Sequence, residues 1–139
     1  YLAESGAILF YFAQNTAFLP DDPLARAEVL QWMFFEQYEH EPNIAVARHW
    51  LAHGAISTEQ QQQLADKQAR GVAALTRMEG HLGGRQWFVG GHCSIADIAL
   101  YAYTHVAAEG GFELAPFRHV NAWLERMAGE PGHIPITQA

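Results

Sequence analysis

The chain has 139 residues, half of them apolar and 17% charged, which is enough for a packed core and excludes a disordered polymer. Eight Lys and Arg against 15 Asp and Glu leave a net charge of −7 with no basic run, which argues against nucleic acid and against an anionic membrane surface as partners. The single cysteine, Cys93, cannot form an internal disulfide, so a reducing compartment, the cytoplasm, is expected.

No basic segment followed by an apolar run and a small-residue cleavage site opens the chain, and its apolar runs are far too short to span a bilayer. It begins at Tyr1 rather than Met, and we read it as part of a longer protein.

Helical spacing dominates. A first helix is expected from Ser5 to about Gln14, buried through Ile8, Leu9, Phe10, Tyr11 and Phe12. Phe18 to Pro23 then breaks the pattern and marks the domain boundary, with Asp21 or Asp22 as the next N-cap and Pro23 in the first turn. A long helix follows to Glu41. Leu24, Val29, Trp32, Phe35 and Glu39 share one stripe, and Met33, Glu36 and His40 another. Pro42 must interrupt or kink it, and Ile44 to His53 continues beyond, up to Gly54.

Ser57-Thr58-Glu59-Gln60 reads as a capping box. It opens a helix with Leu64, Val72, Leu75, Met78 and Leu82 inward, closed by Gly83-Gly84. After the apolar loop from Trp87 to Gly91, Ser94 and Asp97 form a second box, with Cys93 and Ile98 at the staple positions. That helix runs to about Ala108, with Ile95, Ile98, Ala99, Ala102 and Val106 inward. A last helix runs from Pro116 to Ala128, with Phe117, Val120, Leu124 and Met127 inward. The sum is an all-α bundle of about five or six helices.

Three segments in order resemble the glutathione transferase family. Glu4-Ser5-Gly6-Ala7-Ile8-Leu9 with Tyr11-Phe12-Ala13 resembles the stretch that opens the last helix of its thioredoxin-like domain. Phe88 to Gly91 leading into Ser94 to Ala99 resembles the capping box and staple of the central helix of its C-terminal domain. Phe117 to Arg126, with Trp123, resembles its late Trp-x-x-Arg helix, although Pro116 is slightly displaced from the usual proline.

The resemblance implies that residues 1–16 end a thioredoxin-like domain and 17–139 form the helical C-terminal domain of a glutathione S-transferase. It implies glutathione as a substrate, a small hydrophobic electrophile as the second and a homodimer, and no metal is expected from the spacing of the possible ligands. Ser5 and its N–H would hold the γ-glutamyl carboxylate of glutathione, and Glu4 its amino group. Glu39 is the best match to an acidic residue that reaches the partner subunit's glutathione. Met33, Glu36 and His40 are candidates for the electrophile-pocket wall. The residue that activates the thiol belongs to the thioredoxin-like domain, and no position of this sequence matches it.

Each of these has a plainer reading. Glu4-Ser5 can be an ordinary helix start, for which free N–H groups and the dipole suit any carboxylate. The acidic residues between Glu36 and Glu41 can be solvated side chains. A non-catalytic binding or assembly module with the same helical domain is the alternative function, and an unrelated helical regulator a third. His49 and His53 share a helix face but lack a third ligand at motif spacing, so helix-end histidines explain them better than a metal. Cys93 suits burial against Ile98 better than redox chemistry. Asp97 reads as a cap worth about 1 kcal/mol, so that Asp97→Ala lowers the melting temperature before it alters chemistry.

Overall fold

In a computed structural model, which describes residues 1–52, 54 and 56–135, the chain is all-helical, with no strand among the described residues. The helices are α1 (Ser5–Phe12), α2 (Pro23–Phe35), α3 (Glu41–Ala52), α4 (Thr58–Leu82), α5 (Ile95–Thr104) and α6 (Arg118–Ala128). A π turn, Glu36–His40, joins α2 to α3, and a 3₁₀ turn, Ala107–Gly110, follows α5. None of these helices is long and apolar enough to cross a membrane.

The punctuation works as its chemistry predicts. Asp22 accepts from the Ala25 N–H at 2.8 Å, with Pro23 at the head of α2. Ser57 accepts from the Gln60 N–H at 3.1 Å, and Gln60 returns a carbonyl to the Ser57 N–H at 2.8 Å. Pro42 does not break its helix. It has no N–H to donate and its ring crowds the preceding turn. The backbone absorbs this by widening, and the Glu41 N–H reaches the carbonyl five residues back, on Glu36. Helix α3 then continues without a gap.

The core is built where α2 packs on α5, α3 on α4, and α6 on α4 and α5. Trp123, Ile44, Leu75, Met78 and Leu100 are fully enclosed there. Trp32, Phe88 and Trp123 meet edge to face, with centroids 4.7 and 5.2 Å apart.

Several expected inner faces shift. On α4, Val72 is exposed and Gly71 is buried in its place. Helix α3 and the Phe112 ring approach that backbone so closely that a side chain at 71 would overlap Phe112, with Ile44 Cγ1 only 3.2 Å away. Because Phe112 is itself 3% exposed it cannot swing clear. We predict that Gly71→Ala lowers stability by about 1–3 kcal/mol through overpacking. A neutral or stabilising result in urea denaturation, as expected for Gly to Ala in an open helix, would contradict this packing.

Helix α5 ends at Thr104, earlier than its periodicity suggests, and Ile98, Ala99 and Ala102 are only half-buried. The expectation that α1 is well buried also needs correction, because no residue of α1 is buried. Among the described elements it leans on α5, and Tyr11 and Phe12 are largely exposed. An apolar helix covered on one side keeps its other side bare, whatever its composition. The linker after α1 is nevertheless pinned. Arg26 donates to the Gln14 side chain at 2.9 Å, and the Ile95 N–H donates to the Phe18 carbonyl at 2.9 Å.

Candidate functional site

The N-terminus of α1, the end of α2 with the π turn, and the outer face of α5 enclose a cavity of about 940 Å³. At its head stands Glu4, the N-cap, with φ 68° and ψ 123°. A positive φ in a non-glycine residue costs roughly 1–3 kcal/mol and persists only where the surroundings enforce it. The Glu4 carbonyl accepts the first helical bond, from the Ile8 N–H at 2.9 Å. The N–H groups of Ser5, Gly6 and Ala7 therefore have no partner within the helix. Both the Glu4 and Ser5 side chains are exposed and line the cavity. The first turn thus presents a hydroxyl, three N–H donors, the positive end of a dipole and an acidic side chain beside them. That set fits a carboxylate with an amino group next to it.

The opposite wall is apolar. Leu30, Met33 and Phe34 come from α2, and Ile98, Ala102 and Tyr103 from α5. The half-burial of Ile98 and Ala102 is explained here, since they face the cavity and not the core. Glu36 joins this wall from the π turn, 5% exposed. Burial pushes its carboxyl above the usual carboxylate range. A hydrogen bond from Gln37 Nε2 at 2.8 Å draws it back, and neighbouring Glu41 raises it again.

Of the residues singled out in the sequence, Glu4, Ser5, Met33 and Glu36 converge on this cavity, while Glu39 and His40 do not line it. Glu39 points to solvent and pairs with Arg77 at 3.0 Å. Arg77 in turn lies over the Phe35 ring at 4.8 Å. His40 is fully buried, and its Nε2 meets Thr104 Oγ1 at 2.8 Å. The Thr104 hydroxyl spends its one hydrogen on the Leu100 carbonyl at 2.6 Å, so His40 Nε2 must be the donor. Nδ1 is buried and has no partner among the described residues.

The extra residue in the π turn explains the displacement. It advances the register by one, so that Glu41 rather than His40 follows Glu36 onto the cavity. Glu41 was missed for that reason. The available signal was Pro42, which a regular α turn cannot hold without strain.

Asp97 stays out of the cavity and does more than cap. Its carboxylate, wholly buried, accepts from the Ser94 N–H at 2.9 Å and the Ser94 hydroxyl at 2.7 Å. It also accepts from the Phe88 N–H and from Trp123 Nε1, both at 3.0 Å. One side chain thus joins the loop from Trp87, the head of α5 and α6. Cys93 is buried with its sulfur 3.7 Å from Met127 Sδ, and burial first, then Asp97 and Glu130, pushes its thiol up to about 12. Such a thiol is inert. Among the described residues no group of His, Cys, Asp or Glu is arranged to hold a metal, and His53 lies outside those residues.

The model of the glutathione S-transferase C-terminal domain matches residues 23–131. The chain belongs to the glutathione S-transferase family. What it carries is the C-terminal helical domain of that family, with Glu4 and Ser5 upstream of the matched region. A crystal structure of a glutathione S-transferase from Xanthobacter autotrophicus is 49% identical, with a TM-score of 0.94 over 99% of this chain and 67% of that one. A family member from Pseudomonas fluorescens, crystallised with two glutathione molecules bound, is 27% identical over 94% of this chain and 60% of its own, with a TM-score of 0.82. The disulfide-bond oxidoreductase YfcG of Escherichia coli is 30% identical over 135 residues. The chain covers 94% of its own length in that match and 60% of the oxidoreductase. It therefore spans about three fifths of the length of such relatives.

Proposed function

We propose that this chain is the helical part of a glutathione transferase, which joins the glutathione thiolate to a small apolar electrophile. In this reading a thioredoxin-like domain that precedes it supplies the residue that activates the thiol. The observation that carries the reading is that one cavity has an anion-binding helix start at its head and an apolar wall across from it. Ser5 and the free N–H groups behind it take the γ-glutamyl carboxylate, and Glu4 takes the amino group. The sulfur then stands toward Met33 and its neighbours on α2. It attacks the electrophilic carbon, a C–S bond forms, and the leaving group departs with its electron pair while the thiol proton passes to the activating group or to water.

A glutathione-bound relative with the same helical fold supports the ligand. The strained backbone at Glu4 supports an enzyme over a retired binding module, since a site without a ligand gains nothing from that strain. We also propose a cytoplasmic homodimer. Leu24 and Tyr38, exposed on α2 and the π turn, support the dimer, and only across such an interface would Glu39 meet glutathione.

Ser5→Ala in the full-length protein removes one hydrogen bond to a charged group, worth about 1.5–3 kcal/mol. Calorimetric titration with glutathione should show affinity falling by at least ~10-fold. An unchanged dissociation constant would mean that position 5 does not hold the tripeptide.

A further inference from the structure

Within the cavity, Glu36 is the side chain whose surroundings explain it least. It is 5% exposed, and among the described residues it forms no ion pair with a Lys, Arg or His. Among the described residues Oε2 accepts from Gln37, and the other oxygen is not sealed in the core but opens to the cavity. The residues that line the cavity include three carboxylates, Glu4, Glu36 and Glu41, and no basic side chain among the described ones. In the reading above, Glu4 is matched to the amino group of glutathione. Glu36 and Glu41 remain, on the wall assigned to the electrophile.

A carboxyl taken out of water with no counter-charge is costly, and a second carboxylate beside it raises the cost. A ligand group that brings a positive charge or a hydrogen-bond donor relieves both at once, whereas a negative group adds a third like charge to the same wall. The apolar walls of Met33, Phe34 and Ile98 ask for a flat or bulky hydrocarbon body, and the acidic end sets what that body can carry.

We propose that Glu36 selects the electrophile by charge. The second substrate is an apolar molecule bearing a cationic or donor group, and anionic electrophiles are rejected. This rests on the transferase reading.

The test uses the full-length enzyme and three aryl chlorides with a nitro group ortho to the chlorine. They differ only in the para substituent: trimethylammoniomethyl, hydroxymethyl or carboxymethyl. In each, the glutathione sulfur displaces chloride, which leaves with the bonding pair, and the thiol proton goes to water. Each kcat/KM is divided by the uncatalysed rate with glutathione, so that intrinsic reactivity cancels.

The cation should exceed the anion by at least ~10-fold, the size a unit charge several ångströms away supplies in a partly dry site. Glu36→Gln should reduce that ratio at least ~3-fold, the remainder coming from Glu41 on the same wall. A folding defect lowers all three rates together and leaves the ratio intact, so the ratio reports charge alone. Turnover of all three at equal normalised rates overturns the inference and leaves the transferase reading standing, as does a preference that Glu36→Gln does not change. No turnover of any of them, with no glutathione binding, removes the transferase reading and this inference with it.

Discussion

Asp97→Ala should destabilise the protein by about 3–5 kcal/mol, several times the cost of losing a helix cap. The substitution leaves two backbone N–H groups, the Ser94 hydroxyl and the Trp123 indole N–H facing a dry cavity. Each buried donor stripped of its acceptor costs about 1–3 kcal/mol before relaxation. Relaxation is limited because Trp123 and Ser94 are themselves buried. In urea the midpoint should fall with an unchanged slope, and the melting temperature should drop by about 10 °C or more. Asp97→Asn keeps the shape but turns one acceptor into a donor among donors, so it should fall in between. A loss of only ~1 kcal/mol for the alanine variant would reduce Asp97 to the simple cap that its sequence suggests.

The second large effect is acid sensitivity from His40. Burial alone lowers its imidazole from the ordinary 6.5 to about 3. The unfolded chain therefore takes up a proton near pH 6.5 that the folded chain refuses until near pH 3. Above that window both states hold neutral histidine and pH has no effect through this group. Within it, each unit of falling pH removes about 1.4 kcal/mol of stability. Glu36 and Asp97 act in the opposite sense, because burial raises both and their protonation on acidification favours the folded state.

The readout is therefore a difference curve. Unfolding free energies of the native protein and of His40→Gln are measured from pH 7 to pH 4. The glutamine keeps a donor toward Thr104 but cannot take a proton. The native protein should lose stability relative to the variant by about 1.4 kcal/mol per unit once below pH 6. Parallel curves would show that His40 takes up its proton at the same pH in the folded and unfolded states, and would place a water or counter-charge at Nδ1.

Much of this molecule follows from local rules. The all-helical class, the caps at Asp22, Ser57 and Ser94, and the glycines that close α4 are all set by spacings of a few residues. Those spacings act through bonds made within one turn, so they survive without knowledge of the rest of the chain. The first two segments that resemble glutathione transferases belong to the same class of information, because each contains a helix start whose residues cap their own turn. The pairing of Glu4 with Ser5 at the head of a helix was readable for that reason. Its positive φ was not, since strain at one residue is enforced by contacts from outside it.

What the tertiary structure decided is which face of each element meets which neighbour. Val72 and Gly71 sit side by side, and only the approach of Phe112 determines that the glycine goes inside. Asp97 looks the same in sequence whether it serves one turn or three elements, because Trp123 and Phe88 reach it from positions 26 and 9 residues away. The cavity depends on this most strongly. Pro42 forces an extra residue into the turn before it, which sends His40 into the core and brings Glu41 to the wall with Glu36. Helical periodicity assumes a constant rotation per residue, and one widened turn breaks that assumption for every side chain beyond it.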